Sequence, residues 1–247
     1  GRYHNTSQLT SSTQNLFSIE NVTTEGATDI TIYDTAGVNI LTTSNGNDTI
    51  HSKGGNDTIN TGAGNDTVYL GNGTYTLDLG AGDDKVYLTT TASSINGNTG
   101  TDEAIVRAFD GFVDVYIDLQ FSTYYVPSKL TAQDGMDLAL QGFEKVTIDG
   151  NVASTILGSA TADTLVGDAG ADTITGRGGA DILTGGSRAD KFVFESGDTG
   201  ITEATADTIT DFSTGTDKID IDAPGTYVEA DGTATANIAA FITAANA

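Results

Sequence analysis

Residues 52 to 87 read SKGGNDTIN (Ser52–Asn60), TGAGNDTVY (Thr61–Tyr69), LGNGTYTLD (Leu70–Asp78) and LGAGDDKVY (Leu79–Tyr87), four consecutive segments in ninefold register. Glycines recur at Gly46, Gly55, Gly64, Gly73 and Gly82. Carboxylates follow two places later at Asp48, Asp57, Asp66 and Asp84, with Tyr75 breaking the series. Two places further on stands one large aliphatic residue: Ile50, Ile59, Val68, Leu77 and Val86. The glycine-rich half suits a tight turn with positive φ and close backbone approach. The other half suits a three-residue strand with one inward side chain and polar neighbours facing out. Two such units make one coil, so residues eighteen apart stack, and each coil buries its aliphatic residue only against the next. Stacking also places Asp48, Asp66 and Asp84 in one column, where bare carboxylates repel. An oxygen-rich site without thiol or imidazole answers that repulsion with a hard cation such as Ca²⁺.

A repeat of the form GGxGxDxUx resembles the nonapeptide of the RTX family, whose repeats form a parallel β-roll with Ca²⁺ in the turns. The resemblance spans residues 43 to 221. It implies an all-β chain built as two β-roll blocks. The bounds read from the sequence are an N-terminal loop and strand over 1–24 and a first roll with starter coil over 25–105. An antiparallel β insert over 106–149, a second roll over 150–221 and a tail over 222–247 follow. Within the starter coil Ile32 and Leu41 keep the phase of Ile50, and Asn39 stands where the Asp would be, so weak ligation at best is expected there.

The phase survives past Tyr87. Gly97-Asn98-Thr99-Gly100-Thr101-Asp102 is another such turn, eighteen residues beyond Asp84. Three inter-coil sites are therefore expected on one flank of the first roll. The other flank offers only Asp57, between Tyr75 and Asn39, and is expected to bind poorly or not at all. Between Ala104 and Asp149 the period becomes two: Ile105, Phe109, Val113, Val115, Ile117 and Leu119 alternate with polar residues, and Asp110-Gly111 suits a hairpin turn. Phe121, Tyr124 and Tyr125 add aromatic bulk, read as core in preference to a sugar platform. The second block reads GSATADTLV, GDAGADTIT, GRGGADILT, GGSRADKFV from Gly158 to Val193. Asp163, Asp172, Asp181 and Asp190 lie nine apart with Leu165, Ile174, Leu183 and Phe192 turned inward, so both flanks are complete there.

The family ligand scheme, carried over residue by residue, assigns each ion two carbonyls and the Asp of one turn plus two carbonyls and the Asp of the turn eighteen residues on. The resemblance so implies Ser44, Gly46 and Asp48 with Thr61, Ala63 and Asp66; Gly62, Gly64 and Asp66 with Leu79, Ala81 and Asp84; and Gly80, Gly82 and Asp84 with Gly97, Thr99 and Asp102. In the second block it implies Ser159, Thr161 and Asp163 with Gly176, Gly178 and Asp181, and Asp168, Gly170 and Asp172 with Gly185, Ser187 and Asp190. Thr161 and Arg188 depart from the usual glycines. The run FVFESGDTGITEATADTITDFSTGTDKIDI (residues 192–221) resembles the C-terminal end of the roll in the serralysin-type proteases. That resemblance implies a terminal Ca²⁺ site at Asp198 and Asp207; the alternative is that both are solvated loop acids. Asp211, Asp217 and Asp220 are expected to cap turns or face solvent. His4 and His51 are read as exposed residues, not ligands. Ile238, Phe241, Ile242 and Ala245 have the spacing of a short amphipathic C-terminal helix, and the family places a type I secretion signal at this end.

Composition narrows the function. The chain has 247 residues, no Cys and a formal net charge of −24. A strongly acidic chain repels nucleic acid and anionic membranes, and no apolar run reaches the length of a membrane span. Without Cys there is neither a disulfide framework nor a thiolate metal site. Gly1 in place of Met is read as the mark of a fragment or processed form. Neither H-E-x-x-H nor G-x-S-x-G occurs. The expected function is a non-catalytic extracellular Ca²⁺-binding module that folds after type I secretion, as part of a cell-surface S-layer protein or adhesin, with copies of itself or a surface glycan as partner. The alternatives are the C-terminal region of a secreted enzyme and a carbohydrate-binding module using Tyr124, Tyr125 and Phe121.

Overall fold

The computed structural model describes residues 14–19, 21–89, 94–108, 114–120, 136–195, 198, 205–221 and 227–228. Every regular element among them is a strand. The chain divides into two compact units, one running through Arg107 and taking in Asp137–Phe143, the other running on from Glu144 and taking in the segment from Ala108 to Gln120.

In the first unit the strands alternate between two parallel sheets. One holds Gln14–Ile19, Ile30–Asp34, Thr49–His51, Thr67–Tyr69, Lys85–Leu88 and Glu103–Ala108 in that order; the other holds Asn21–Thr23, Ile40–Thr42, Thr58–Asn60, Thr76–Asp78, Ser94–Asn96 and Met136–Gln141. The register is eighteen residues without slippage through the repeats: Ile32 faces Ile50, Ile50 faces Val68, and Val68 faces Val86. Leu41, Ile59, Leu77 and Ile95 form the facing column. All eight of these aliphatic side chains are buried. One residue in three along each strand faces inward, which a three-residue strand with alternating faces dictates.

The second unit repeats the plan. Lys145–Gly150, Thr164–Val166, Ile182–Thr184 and Thr208–Ile209 make one sheet. Asp114–Asp118, Ala153–Leu157, Thr173–Thr175, Lys191–Phe194 and Lys218–Ile221 make the other, with Tyr227–Val228 added antiparallel at its end. Leu165, Ile174, Leu183 and Phe192 are completely buried.

Where an antiparallel insert is expected, each described strand of the region lies parallel beside a roll strand. Asp114–Asp118 pairs with Ala153–Leu157, Met136–Gln141 with Ser94–Asn96, Glu103–Ala108 with Lys85–Leu88, and Lys145–Gly150 with Thr164–Val166. The physical reason is that period-two alternation reports one buried face and is blind to strand direction. Val115 and Ile117 bury their side chains as the alternation requires, but on a coil. The hairpin expected at Asp110-Gly111, the aromatic residues Phe121, Tyr124 and Tyr125, His4 and the C-terminal helix lie outside the described residues.

Candidate calcium sites in the turns

Each Asp of the repeat sits at the end of a turn, just before its strand, and is at most 3% exposed. Coil stacking brings the Oδ1 of the later Asp of each stacked pair under a backbone N–H of the preceding coil. Asp48 N–H donates to Asp66 Oδ1 at 2.7 Å, Asp66 N–H to Asp84 Oδ1 at 2.7 Å, and Asp84 N–H to Asp102 Oδ1 at 2.9 Å. The second block repeats the ladder on both flanks: Asp163 N–H to Asp181 Oδ1 at 2.8 Å, and Asp172 N–H to Asp190 Oδ1 at 2.9 Å. One oxygen of each accepting carboxylate is thus used by the protein. Oδ2 of Asp48, Asp66, Asp84, Asp172, Asp181 and Asp190, and Oδ1 of Asp163, are buried without a hydrogen-bond partner.

Such atoms are costly as bare anions, since a buried charge needs a counter-charge. Burial is the leading cause of the upward shift of these carboxyls, toward about 6 at Asp66 and Asp163 and about 7 at Asp84, Asp172 and Asp181. Neighbouring rungs push the same way, Asp66 and Asp102 on Asp84 among them. Stacked coils lie about 4.8 Å apart, where two unit charges repel by roughly 1 kcal/mol in water and a few kcal/mol at an effective dielectric of about 20. A column of unpartnered carboxylate oxygens with carbonyls beside it fits a hard divalent cation with oxygen ligands. No three His, Cys, Asp or Glu side chains come together in one metal-binding cluster among the described residues, so carbonyls must complete each set. A bound Ca²⁺ would supply positive charge to two rungs at once, joining coil to coil.

The turns bring the expected carbonyls to those gaps. Ser44, Gly62 and Gly80 each accept from the next coil, from Ala63 N–H at 2.8 Å, Ala81 N–H at 2.9 Å and Thr99 N–H at 3.1 Å. Ala63, Ala81 and Thr99 accept in the other direction, each at 2.8 or 2.9 Å, from Gly46, Gly64 and Gly82. A carbonyl has two lone pairs, so one such bond leaves room for a second partner. Gly46, Gly64 and Gly82 have φ of +125°, +126° and +134°, and a Cβ at Gly64 or Gly82 would run into the carbonyl of the coil below. In the second block Ser159 O accepts from Gly178 N–H at 3.3 Å and Asp168 O from Ser187 N–H at 2.7 Å. A Cβ added at Gly170, Gly176 or Gly185 would collide with a carboxylate oxygen of Asp172, Asp181 or Asp190 respectively, so only glycine leaves that space open. Thr61 and Leu79 are buried at the starts of their turns, Thr61 donating its hydroxyl to the Leu79 carbonyl at 2.5 Å, while a Cβ added at Gly97 would collide with the Asp102 carboxylate. Thr161 and Gly178 occupy the paired turns of the Asp163/Asp181 gap, the Thr161 N–H donating to Ser159 Oγ at 3.1 Å.

Asp57 is different. Its Oδ1 accepts from Asn39 N–H at 2.9 Å and its Oδ2 from Ser52 Oγ at 2.7 Å, and Ser52 Oγ lies 3.3 Å from the hydroxyl of buried Tyr75. Both oxygens have protein partners, and the flank closes on itself.

At the far end, Asp207 and Asp198 take different hydrogen bonds. Asp207 is buried and is the next rung, its Oδ1 accepting from Asp181 N–H at 2.9 Å; Asp198 Oδ2 accepts from Glu195 N–H at 2.7 Å in a local turn. Asp217 caps a turn as expected, its Oδ2 accepting from Ser213 N–H at 2.7 Å, but it is also 4% exposed and continues the other flank, its Oδ1 accepting from Asp190 N–H at 3.0 Å. Sequence spacing hid it: the steps from 181 to 207 and from 190 to 217 are 26 and 27 residues rather than eighteen. Asp211 binds Gly185 N–H and Gly186 N–H, and Asp220 pairs with Lys191 at 2.5 Å. His51 is one ring of a stack, 4.5 Å from Tyr33 and 4.6 Å from Tyr69, which in turn stacks on Tyr87 at 4.5 Å. Arg177, given no role by the sequence, holds Asp118 through both guanidinium ends at 2.7 and 3.0 Å and the Gly158 carbonyl at 2.8 Å.

Compared with known families, the chain matches the RTX calcium-binding nonapeptide repeat in four copies, over residues 31–59, 42–77, 53–86 and 157–191. A search of curated proteins found no match. The matches fall on the two ladders of buried carboxylates, and these repeats bind several Ca²⁺ ions per domain. The two blocks of turns, within residues 31–86 and 157–191, are thus RTX calcium-binding nonapeptide repeats.

Proposed function

We propose that this chain is a non-catalytic extracellular module that Ca²⁺ folds after type I secretion, serving a cell-surface S-layer protein or adhesin. The observation that carries the calcium step is the column of buried carboxylates whose second oxygens have no protein partner. Each gap is assembled from separate coils, so an unfolded chain holds no site and binding free energy becomes folding free energy. With a net charge of −24 the metal-free chain repels itself. The low free Ca²⁺ of a cytoplasm keeps it threadable; millimolar Ca²⁺ outside folds it, within the roughly 10⁻⁴ to 10⁻³ M range of extracellular modules. The absence of H-E-x-x-H and G-x-S-x-G from the sequence supports a role other than proteolysis or ester hydrolysis.

Circular dichroism during a Ca²⁺ titration tests the switch: strand signal should appear with added Ca²⁺ and vanish with chelator, and a signal indifferent to chelator would overturn it. The surface role is tested by negative-stain microscopy of the Ca²⁺-loaded protein. Ordered two-dimensional arrays support a self-assembling layer, whereas a dispersed monomer that binds a glycan array favours the adhesin.

A further inference from the structure

We propose that the side-chain amide of Asn39 occupies the calcium position of the first inter-coil turn, so that the coil ending at Asn39 closes on Asp57 without metal. The inference rests on the calcium reading above and concerns a gap at which Asn stands in the Asp position.

Asn39 is a true rung. Its strand Ile40–Thr42 pairs in register with Thr58–Asn60, and its N–H donates to Asp57 Oδ1 at 2.9 Å as each Asp rung donates to the next. It is fully buried. Thr35 and Gly37 precede it by four and two residues, as Ser44 and Gly46 precede Asp48 and Gly62 and Gly64 precede Asp66. Those carbonyls, with the Asp of the following coil, make up half the ligand set of a metal-bound gap. Asn39 Nδ2 lies 2.6 Å from Gly37 O, 3.0 Å from Thr35 O and 3.4 Å from Asp57 Oδ1. Thr35 Oγ1 donates to Asn39 Oδ1 at 3.3 Å, which fixes the amide with its nitrogen toward the carbonyls. The NH₂ group therefore sits among the very oxygens that a cation would gather.

The chemistry balances. Replacing Asp by Asn removes one negative charge from the gap, and two amide protons replace the dication as the partner of the turn carbonyls. The remaining charge, on Asp57, is met by the Asn39 N–H and the Ser52 hydroxyl. At Asp66, by contrast, one carboxylate oxygen is left with no partner. The first roll so carries one gap closed by its own side chain, against which the metal-dependent coils can stack.

The substitution Asn39→Asp restores the missing ligand and removes the occupying protons. Bound Ca²⁺ is counted on the folded full chain by atomic emission after desalting, and affinity by calorimetry. The expected result is one more ion per chain in Asn39→Asp than in the wild type. An equal count in a variant that keeps its strand signal overturns the inference while leaving the calcium reading intact; a wild type that binds no Ca²⁺ overturns both. If the variant does not fold, the wild type decides: in the Ca²⁺-loaded protein the Asn39 side-chain amide protons should exchange with solvent at least tenfold more slowly than those of exposed Asn56. Exchange at the same rate overturns the proposal.

Discussion

At the scale of single residues, function lies in which atoms are left without partners. Asp66 serves two gaps, one shared with Asp48 and one with Asp84. Asp66→Ala should therefore remove two ions and raise the Ca²⁺ midpoint of folding at least tenfold, read by circular dichroism. Glycine matters where backbone crosses backbone. Gly64 has φ +126°, and a Cβ there would overlap the Gly46 carbonyl, whereas Gly215 at φ +80° meets nothing within 4 Å. Gly64→Ala should cost more than about 2 kcal/mol in denaturant unfolding at saturating Ca²⁺, and Gly215→Ala about 1 kcal/mol, the backbone cost alone. Arg188 already occupies such a position at φ 87°. That the family's glycine is missing there was plain in the sequence; that the chain nevertheless keeps the left-handed turn was not.

At the scale of elements, the two blocks differ in what holds their turns. In the first block the residue before Asp48, Asp66 and Asp84 is itself an Asx side chain that caps the next coil: Asn65 N–H donates to Asn47 Oδ1 at 2.8 Å, Asp83 N–H to Asn65 Oδ1 at 3.0 Å, and Thr101 N–H to Asp83 Oδ1 at 2.8 Å. In the second block that position is Ala162, Ala171, Ala180 and Ala189. Asn65→Ala should cost the first block about 1 kcal/mol, the worth of one hydrogen bond, measurable as faster amide exchange at Asp83 in Ca²⁺. The carboxylate ladders also set a pH dependence. Asp66 and Asp163 titrate near 6 and Asp84, Asp172 and Asp181 near 7 in the folded chain, against about 4 for a solvated Asp. Because the folded values are raised, their contribution to metal-free stability is full below about pH 4 and is lost as pH rises through 6 to 7. In chelator, strand signal should therefore be greater at pH 5 than at pH 8. With Ca²⁺ the order reverses, since protons compete for the same oxygens.

At the scale of the molecule, the chain is a stack of small units, none with a core of its own. Every inward apolar residue of the repeats, from Ile32 to Phe192, depends on the coils beside it. Folding should thus be cooperative within a block and broken by the loss of an internal coil. Small-angle scattering should show the radius of gyration falling at least twofold between chelator and millimolar Ca²⁺, as an expanded polyanion becomes a packed solenoid.

The nonapeptide was enough to fix the strand, the turn, the inward aliphatic column and the eighteen-residue stacking of Asp48, Asp66, Asp84 and Asp102, because each follows from a period written in local residues. What it could not carry was partnership across an irregular step. Only the fold aligned Asp207 with Asp181 and Asp217 with Asp190, set the insert strands parallel on the coils, and brought Asn39 Nδ2 among the carbonyls of its own turn. Periodicity states which face a residue takes; which atom satisfies which is decided by contacts between segments that the sequence leaves far apart.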